Sequence, residues 1–397
     1  MSDFFTAPMV AEAIGRLQHG RAQDHDGLVG EHFIYACREL APLLAHMFNR
    51  SVCEGFPASR TANTIVPLFK SGDPMVQGNY KTIMIGHYLA KIYGSILERE
   101  LSVWAERNGH RARGQAGFRQ GFSTLDHILT LRAFIEERRA QGDRRRLYCC
   151  FVDFSKAFDS VPRFRLMQRL QDIGVPEAIR WGIYALYESV TGRVRAPGGL
   201  SDAIESTIGV KQGCPLSPTL FGIYIDELSE YVDTYGDAGS SLAGVMIPLL
   251  LYADHVVLIS DSPEGLQRQL DALQRFCADR DLTVNLGKTK VMVFSTTQAW
   301  VTRAEHQFTF RGERVEQVRS YVYLGVIFTG PRFSPKQAAE ARLDRGFAAL
   351  GRLERQCAHV QFQEPRTKLW LFESLVTLAL LYGSMVWGLS LSTEEWR

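Results

Sequence analysis

Two strongly apolar segments of the chain each carry one aspartate. The run from Arg146 to Phe154 reads R-L-Y-C-C-F-V-D-F, with Asp153 near its end. The run from Ile247 to Ile259 reads I-P-L-L-L-Y-A-D-H-V-V-L-I, with Asp254 in its second half. The first has the length and composition of a buried strand. The second is too long for one typical strand, so we predict a hairpin that turns at Ala253–His255. Both carboxylates are therefore expected where apolar strands end.

The segments around these strands predict an α+β fold. Helical spacing at Phe164–Ile173, a capped helix beginning at Ser262 and a strand at Lys290–Phe294 complete the order strand, helix, hairpin, helix, strand. That order suits an antiparallel sheet backed by helices. The first half of the chain is mainly helical, with a short strand at Asn63–Phe69 and a second extended piece after Tyr80.

Composition excludes several classes of protein. The 397 residues contain 45 Lys and Arg against 43 Asp and Glu, so a strongly basic nucleic-acid coat is excluded and only a local basic patch could bind phosphate. The seven cysteines are scattered without a C-x-x-C pair. We therefore expect neither a disulfide framework nor a zinc module. We expect an intracellular location, in cytoplasm or nucleus.

One uncharged segment, Ser374–Thr393, is long enough to span a membrane. It contains several polar residues, which favours a buried core helix and turn over a membrane span. We therefore expect no membrane partner.

A carboxylate at the end of an apolar strand is costly unless it is paired or binds a cation. Two such acids on adjacent strands would repel each other, and Mg²⁺, which prefers carboxylate oxygens, would remove the repulsion. Two metal ions can activate a hydroxyl nucleophile and neutralise a leaving pyrophosphate. On spacing alone, a capping role for each aspartate stays the more common alternative.

A series of short motifs follows one order along the chain. They are Arg21-Ala-Gln-Asp-His-Asp-Gly27, Val66-Pro-Leu-Phe-Lys-Ser-Gly-Asp73, Gly78-Asn-Tyr-Lys81, Gln115-Ala-Gly-Phe-Arg119, Phe151-Val-Asp-Phe-Ser-Lys-Ala-Phe-Asp-Ser-Val161, Val210-Lys-Gln-Gly-Cys-Pro-Leu-Ser-Pro218, Tyr252-Ala-Asp-His255, Asn285-Leu-Gly-Lys-Thr-Lys290 and Tyr323-Leu-Gly-Val326. In this order they resemble the motifs of the reverse transcriptases of LINE-type (non-LTR) retrotransposons.

The resemblance implies a right-hand polymerase with fingers, a palm whose antiparallel sheet is backed by helices, and a partial thumb. Residues 1–50 would form an N-terminal fingers extension, 51–329 the fingers and palm of the reverse transcriptase domain, and 330–397 a truncated helical thumb. It implies an RNA-directed DNA polymerase that uses an RNA template, a DNA primer and deoxynucleoside triphosphates. The cofactor would be Mg²⁺, with Mn²⁺ as an alternative.

The resemblance also assigns roles to individual residues. Asp153 and Asp254 match the metal-binding acids, and the Phe154 carbonyl would be a further ligand. Lys288 matches a lysine that acts on the leaving pyrophosphate, although a solvated turn lysine is an equal alternative. The nucleotide-binding positions are Lys70, Lys81, Phe158, Gln212 and Gly213, with the Phe158 ring beneath the sugar where it would exclude a 2′-hydroxyl. Lys81 stands where the family usually has Arg. A lysine keeps the positive charge but cannot form the two parallel hydrogen bonds that an arginine makes to a phosphate.

The segment from Glu106 to Arg146 holds ten arginines against five acids. This local excess suits contact with a phosphate backbone. The motif Tyr323-Leu-Gly-Val326 resembles the primer-grip turn of the family. The nucleic-acid contacts expected from the basic segment and from this motif are Arg111, Arg113, Arg119, Tyr323 and Gly325. The alternative for the arginines is a solvated helix face with a charged loop. Asp226 and Asp159 are not expected to bind metal: Asp226 should face solvent, and Asp159 should serve a turn or cap.

His255 is the main departure from the family, which has a second aspartate there. A neutral imidazole brings no negative charge and is a poorer Mg²⁺ ligand than a carboxylate. Three interpretations stay open. The enzyme is damaged by this change, or it tolerates histidine with reduced activity that Mn²⁺ supports, or the protein has lost polymerisation and only binds nucleic acid. A maturase-like RNA-splicing cofactor is a remote further alternative.

Overall fold

The computed structural model describes residues 3–142, 146–196, 198–237, 239–295, 306–388 and 391. They form two compact units that alternate along the chain. The first unit comprises Met1–Arg119, Phe154–Glu227 and Phe276–Thr283, and the second comprises Gln120–Asp153, Leu228–Arg275 and Val284–Arg397. The three-part division into 1–50, 51–329 and 330–397 stays a prediction.

Helices are numbered in chain order. They are α1 Ala7–Gly15, α2 Gly30–Tyr35, α3 Cys37–Glu54, α4 Ala58–Thr61, α5 Tyr88–Arg107, α6 Thr124–Ala140, α7 Ala157–Ser160, α8 Arg163–Asp172, α9 Glu177–Tyr187, α10 Ser217–Asp226, α11 Leu228–Tyr235, α12 Pro263–Asp279, α13 Pro335–His359, α14 Pro365–Phe372, α15 Leu378–Leu381 and α16 Ser384–Trp387, with a π-helical turn at Glu373–Thr377.

Strands are numbered in the same way. They are β1 Asn63–Phe69, β2 Tyr80–Gly86, β3 Leu147–Asp153, β4 Thr191–Ala196, β5 Gly199–Leu200, β6 Ile204–Glu205, β7 Ser240–Leu242, β8 Val245–Ile247, β9 Leu249–Tyr252, β10 His255–Ser260, β11 Lys290–Phe294, β12 Thr309–Phe310, β13 Glu313–Arg314, β14 Glu316–Gln317, β15 Ser320–Tyr323 and β16 Val326–Thr329. The mixture of helices and sheets confirms the predicted α+β class.

The first unit contains a sheet in the order β2-β1-β4-β5, with β6 also paired to β4. Strands β1 and β2 form an antiparallel hairpin, whereas β1 and β4 are parallel. An aromatic cluster lies among the N-terminal helices, where the Phe5 ring packs 4.7 Å from Tyr93 of α5 and 5.6 Å from Phe48 of α3. All three side chains are fully buried, so they anchor α3 and α5 to the start of the chain.

The second unit is built on a sheet in the order β14-β11-β3-β10-β9. Its central strand β3 is buried along its length up to Asp153, which is why its sequence is an unbroken apolar run. Helix α6 packs its buried residues Ile128, Leu131 and Phe134 into the same core as Phe151. The predicted strand, hairpin and second strand are confirmed as β3, β9–β10 and β11.

The uncharged segment near the C-terminus differs from its prediction. Pro365–Trp387 forms a helical stretch of 23 residues with mean hydropathy 1.6, but only 17% of its most apolar window is buried. Val376 and Trp387 are buried, whereas Leu378 and Leu381 are exposed. The expectation of a buried core helix and turn for Ser374–Thr393 is therefore confirmed only in part, and residues 389, 390, 392 and 393 of that segment lie outside the described residues. Its length and apolarity would suffice to cross a bilayer, which by itself is weak evidence for a membrane span.

Candidate active site

Three side chains lie in one row across the end of the second unit's sheet. Asp153 is the last residue of β3, and it pairs directly with His255, the first residue of β10. His255 pairs in turn with Tyr252, the last residue of β9. Directly opposed residues on antiparallel strands project from the same face of a sheet. The sheet therefore presents Asp153, His255 and Tyr252 side by side on one face.

Asp254 lies in the two-residue turn between β9 and β10. The preceding residue, Ala253, has φ +56° and is buried. Short hairpin turns require such left-handed backbone, which is unfavourable for residues with a side chain and least so for small ones. A bulky residue at this position would be disfavoured both by the left-handed backbone and by the lack of space around a buried side chain. The alanine thus allows the tight turn that places half-buried Asp254 beside exposed His255.

The loop before β11 encloses the backbone of Asp153. The Asn285 N–H donates to the Asp153 carbonyl at 2.7 Å, and the Asp153 N–H donates to the Thr289 hydroxyl at 3.2 Å. The same loop brings the Lys288 ammonium to 3.7 Å from the Asp153 carboxylate, while 70% of the lysine side chain stays exposed. The structure therefore brings together Asp153 and Lys288, which the sequence placed in one site. A cation at this distance offsets part of the carboxylate's charge.

The carboxylates fit an open divalent-metal site better than a closed one. Within the described residues, no group of three or more His, Cys, Asp or Glu side chains is arranged to hold a metal ion. Mg²⁺ is usually held by one or two carboxylates, with water and substrate phosphates as the remaining ligands. Asp153 and Asp254 can supply that number, and His255 adds no oxygen. Phe154 begins the second segment of the first unit, and the role of its carbonyl as a ligand stays a prediction.

In the first unit, the predicted nucleotide-binding loop packs on β2. Gly213 has φ +102°, and a Cβ there would lie 2.5 Å from the Met84 carbonyl oxygen. Only glycine permits this approach. The Met84 N–H donates to the Gln212 carbonyl at 3.2 Å, and the Gln212 side-chain amide donates to Asp159 at 2.5 Å. Asp159 therefore holds the Gln212 side chain, a contact that the sequence did not predict.

Phe158 is half-buried and rests on a second ring. Its ring stacks on Phe221 at 4.4 Å and meets the edge of Phe118 at 6.2 Å. This anchoring fixes the ring while leaving part of it accessible, as a residue beneath a sugar requires. Lys70 is exposed directly after β1, and Lys81 lies in β2 opposite Leu68. The roles of these residues in binding nucleotide stay predictions.

Arg111 and Asp226 contradict the expectations made for them. Arg111 is 6% exposed and Asp226 4%, and the Arg111 Nε donates to the Asp226 carboxylate at 2.7 Å. Gln115 donates to the other carboxylate oxygen at 3.0 Å. Burial raises the pKa of Asp226, and the Arg111 charge opposes that rise. Asp226 does not face solvent, and Arg111 is not accessible to nucleic acid.

Other arginines of the basic segment are also engaged within the protein. Arg119 forms a bidentate pair with Glu106 at 2.7 Å and donates to the carbonyls of Ala112 and Gln115. Its side chain is 11% exposed, so little of it is left for phosphate. Arg138 is buried against Asp261. Part of the positive charge of this segment is therefore structural. Of the three predicted contacts in this segment only Arg113 is exposed, and Arg144 and Arg145 lie outside the described residues.

Tyr323 is also buried, at 3% exposure, which contradicts its predicted contact with nucleic acid. Its hydroxyl lies 3.2 Å from Nδ1 of His127, a residue that the sequence analysis missed. A capping box of Ser123 and Asp126 begins α6 and is visible in the sequence, but it does not reveal which residues face His127. Gly325 has φ +85° in the two-residue turn between β15 and β16, and its carbonyl accepts from Arg342. Its role in binding nucleic acid stays a prediction.

Residues 70–328 match the family model described as "Reverse transcriptase (RNA-dependent DNA polymerase)". A retrovirus-related Pol polyprotein from the type-1 retrotransposable element R2 of Popillia japonica is 28% identical over 344 residues, which are 85% of this chain and 45% of that protein. The RNA-directed DNA polymerase from the mobile element jockey of Drosophila funebris is 25% identical over 82% of this chain and 35% of its own length. The chain spans less than half the length of these relatives.

Proposed function

The chain belongs to the reverse transcriptase (RNA-dependent DNA polymerase) family, and we propose that it catalyses RNA-templated DNA synthesis at Asp153 and Asp254. The observation that carries the proposal is the placement of Asp153 opposite the turn with Asp254, with the Lys288 ammonium 3.7 Å from Asp153. Mg²⁺ or Mn²⁺ bound there would activate the primer hydroxyl and neutralise the leaving pyrophosphate. The two carboxylates would hold the metal, and the exposed Lys288 would add positive charge near it.

The remaining predicted residues, which lie in the first unit, are assigned to nucleotide binding. Gln212 and Gly213 would contact the incoming deoxynucleotide, Phe158 would exclude the 2′-hydroxyl, and Lys70 and Lys81 would contact the triphosphate. This assignment rests on their positions in the family motifs. The conformation of Gly213 and the stacking of Phe158 on Phe221 support it because both fix the shape of the loop and ring involved.

We further propose that the protein has the right-hand arrangement of fingers, palm and partial thumb within the boundaries 1–50, 51–329 and 330–397. Its partners would be an RNA template and a DNA primer, and Arg113 and Gly325 would contribute nucleic-acid contacts. It would act inside the cell, in cytoplasm or nucleus. The scattered cysteines support this location, since they are all free thiols.

His255 supports a second candidate function, a non-catalytic nucleic-acid-binding remnant. It lies directly opposite Asp153, where an acid would add negative charge for a divalent cation and a neutral imidazole adds none. Between the two candidates, we expect this chain to be a polymerase with reduced activity, and we expect the substitution His255→Asp to restore that activity. A maturase-like role has no observation in its favour.

Primer extension on poly(rA)/oligo(dT), first with Mg²⁺ and then with Mn²⁺, tests both candidates. The proteins compared are the unmodified chain, His255→Asp, Asp153→Ala, and Asp153→Ala combined with His255→Asp. We expect His255→Asp to extend the primer at least tenfold faster than the unmodified chain, and both Asp153→Ala proteins to be inactive. Duplex binding without extension by any folded variant would instead favour the binding remnant.

A further inference from the structure

A buried hydrogen bond joins α6 to the hairpin β15–β16. The Tyr323 hydroxyl and Nδ1 of His127 lie 3.2 Å apart, although the two residues are 196 positions apart in sequence. His127 is 5% exposed and Tyr323 is 3% exposed. Burial raises the pKa of Tyr323, so its hydroxyl stays protonated at neutral pH. In such surroundings the low local dielectric strengthens a hydrogen bond, which makes this bond a strong constraint.

Each partner of this bond touches a strand that leads to one of the two acids, since Asp153 ends β3 and Asp254 follows β9 in the turn. The Tyr323 ring packs 5.4 Å from Phe151, which precedes Asp153 by two residues on the same face of β3. The His127 ring meets the Tyr252 ring edge-to-face, with centroids 6.0 Å apart. Tyr252 precedes Asp254 by two residues, at the start of the turn. The bonded pair therefore contacts the support of Asp153 on one side and the support of Asp254 on the other.

The ends of α6 and of the hairpin are fixed to each other by a second contact. The Tyr382 hydroxyl donates to the Leu324 carbonyl at 2.9 Å and lies 2.7 Å from the Thr124 hydroxyl, which can donate to it. Thr124 begins α6, and Leu324 follows Tyr323 in the turn. His127 and Tyr323 are thus held in place from a third element, which limits how far either can move.

We infer that the His127–Tyr323 hydrogen bond is a positioning device that sets the separation of the Asp153 and Asp254 carboxylates. His127 and Tyr323 act through Phe151 and Tyr252, and they do not themselves contact the metal ion or the nucleotide. The inference deepens the proposed function, because it concerns the same pair of acids. It also predicts that the two residues act as a unit, since one bond connects the two supports.

A double-mutant cycle on divalent-metal binding tests the inference. The proteins are Tyr323→Phe, which keeps the ring and removes the hydroxyl, His127→Gln, and the double variant. Mn²⁺ affinity is measured by electron paramagnetic resonance, and the rate of single-nucleotide addition is measured in parallel in the His255→Asp background. We expect each single change to weaken Mn²⁺ binding about three- to tenfold, the effect of one buried hydrogen bond. The double variant should be no weaker than the weaker single variant.

Tyr148→Phe is the matched control for the loss of a hydroxyl. Tyr148 is a buried tyrosine of the same strand as Phe151 but on the opposite face of the sheet, so its change should leave Mn²⁺ affinity unaltered. Additive effects of Tyr323→Phe and His127→Gln would overturn the inference. So would a fall in the thermal unfolding midpoint with unchanged Mn²⁺ affinity, because it would show a purely structural role.

The measurement of Mn²⁺ affinity distinguishes a failure of this inference from a failure of the proposed function. If no variant extends a primer while Asp153→Ala abolishes Mn²⁺ binding and Tyr323→Phe weakens it, the positioning role stands and the polymerase proposal fails. If primers are extended and neither Tyr323→Phe nor His127→Gln changes Mn²⁺ affinity or the rate of nucleotide addition, the polymerase proposal stands and the positioning role fails.

Discussion

The pair of Arg111 and Asp226 shows how much a single residue's role depends on its surroundings. Both side chains are almost fully buried, and the two Nη atoms of Arg111 make no hydrogen bond within the described part of the chain. Its Nε bond to Asp226 therefore provides the main compensation for its charge. Gly222 leaves the space for the guanidinium, since a Cβ there would lie 2.6 Å from Nη2. An arginine that looks like a phosphate ligand in sequence is thus a core residue.

We expect Asp226→Ala to lower the free energy of unfolding by about 3–5 kcal/mol, because it leaves a buried guanidinium unpaired. Urea unfolding of the purified protein measures this change. Arg113→Ala is the control, since Arg113 is exposed two residues away and should change stability by less than about 0.5 kcal/mol. Equal small effects of both substitutions would show that the Arg111–Asp226 pair does not stabilise the fold.

At the scale of elements, Lys211 joins the end of α9 to the loop before α10. Its ammonium is buried, donates to the Leu186 carbonyl at 2.8 Å and lies 5.4 Å from the centre of the Tyr187 ring. A cation at a helix C-terminus interacts favourably with the last carbonyls. Burial nevertheless lowers the pKa of Lys211 to about 8. The helix end and the ring thus compensate only part of the cost of removing this charge from water.

The lowered pKa of Lys211 predicts the sign of a pH effect. Between about pH 8 and pH 10.5 the unfolded chain holds the lysine proton and the folded chain does not, so the free energy of unfolding should rise with pH. We expect Lys211→Met to remove this rise and to stabilise the protein at pH 7 by on the order of 1–3 kcal/mol. Denaturant unfolding at pH 7, 8, 9 and 10 provides the measurement.

Lys70→Met is the comparison for this experiment, because Lys70 is exposed in the same unit and should leave the pH dependence unchanged. A rise in stability above pH 8 that persists in Lys211→Met would assign it to another group.

At the scale of the whole molecule, the C-terminal helices of the second unit expose an unusually apolar face. Phe347 of α13, Trp370 of α14 and Leu378 of α15 are 68%, 62% and 68% exposed. A groove of about 760 Å³ between α13 and α14 is lined mainly by apolar side chains such as Leu353 and Phe372. Exposed apolar side chains and grooves of this kind favour association when they are left in water.

We therefore expect the purified protein to associate as its concentration rises, and Trp370→Glu combined with Leu378→Glu to shift it toward the monomer. Sedimentation velocity between about 1 and 50 μM measures the change. Phe164→Glu is the control, because Phe164 of α8 is 79% exposed but lies in the first unit. If the double variant sediments like the unmodified chain at every concentration, the C-terminal face does not drive association.

Local pattern alone was sufficient for the strands and the turn of the candidate site. Each of β3, β9–β10 and β11 is specified by a short run of apolar residues, and the positions of Asp153 and Asp254 follow from those runs. The order of the motifs was sufficient to indicate the family, because the motifs are short, local and numerous. Such features depend on residues near one another in sequence, where side-chain alternation and turn chemistry act directly.

Tertiary structure decided which side chains are accessible. Arg111 meets Asp226 from 115 positions away, and Tyr323 meets His127 from 196 positions away. The same holds for the C-terminal segment that was expected in a core, in which Val386 and Trp387 are buried but Leu378 and Leu381 are exposed. A side chain's burial depends on the partner brought to it by the fold, and no local pattern around Arg111, Tyr323 or Leu378 carries that information. The sequence by itself therefore placed Asp153 and Asp254 where apolar strands end, whereas the packing around them emerged only in three dimensions, because it joins residues far apart in the chain.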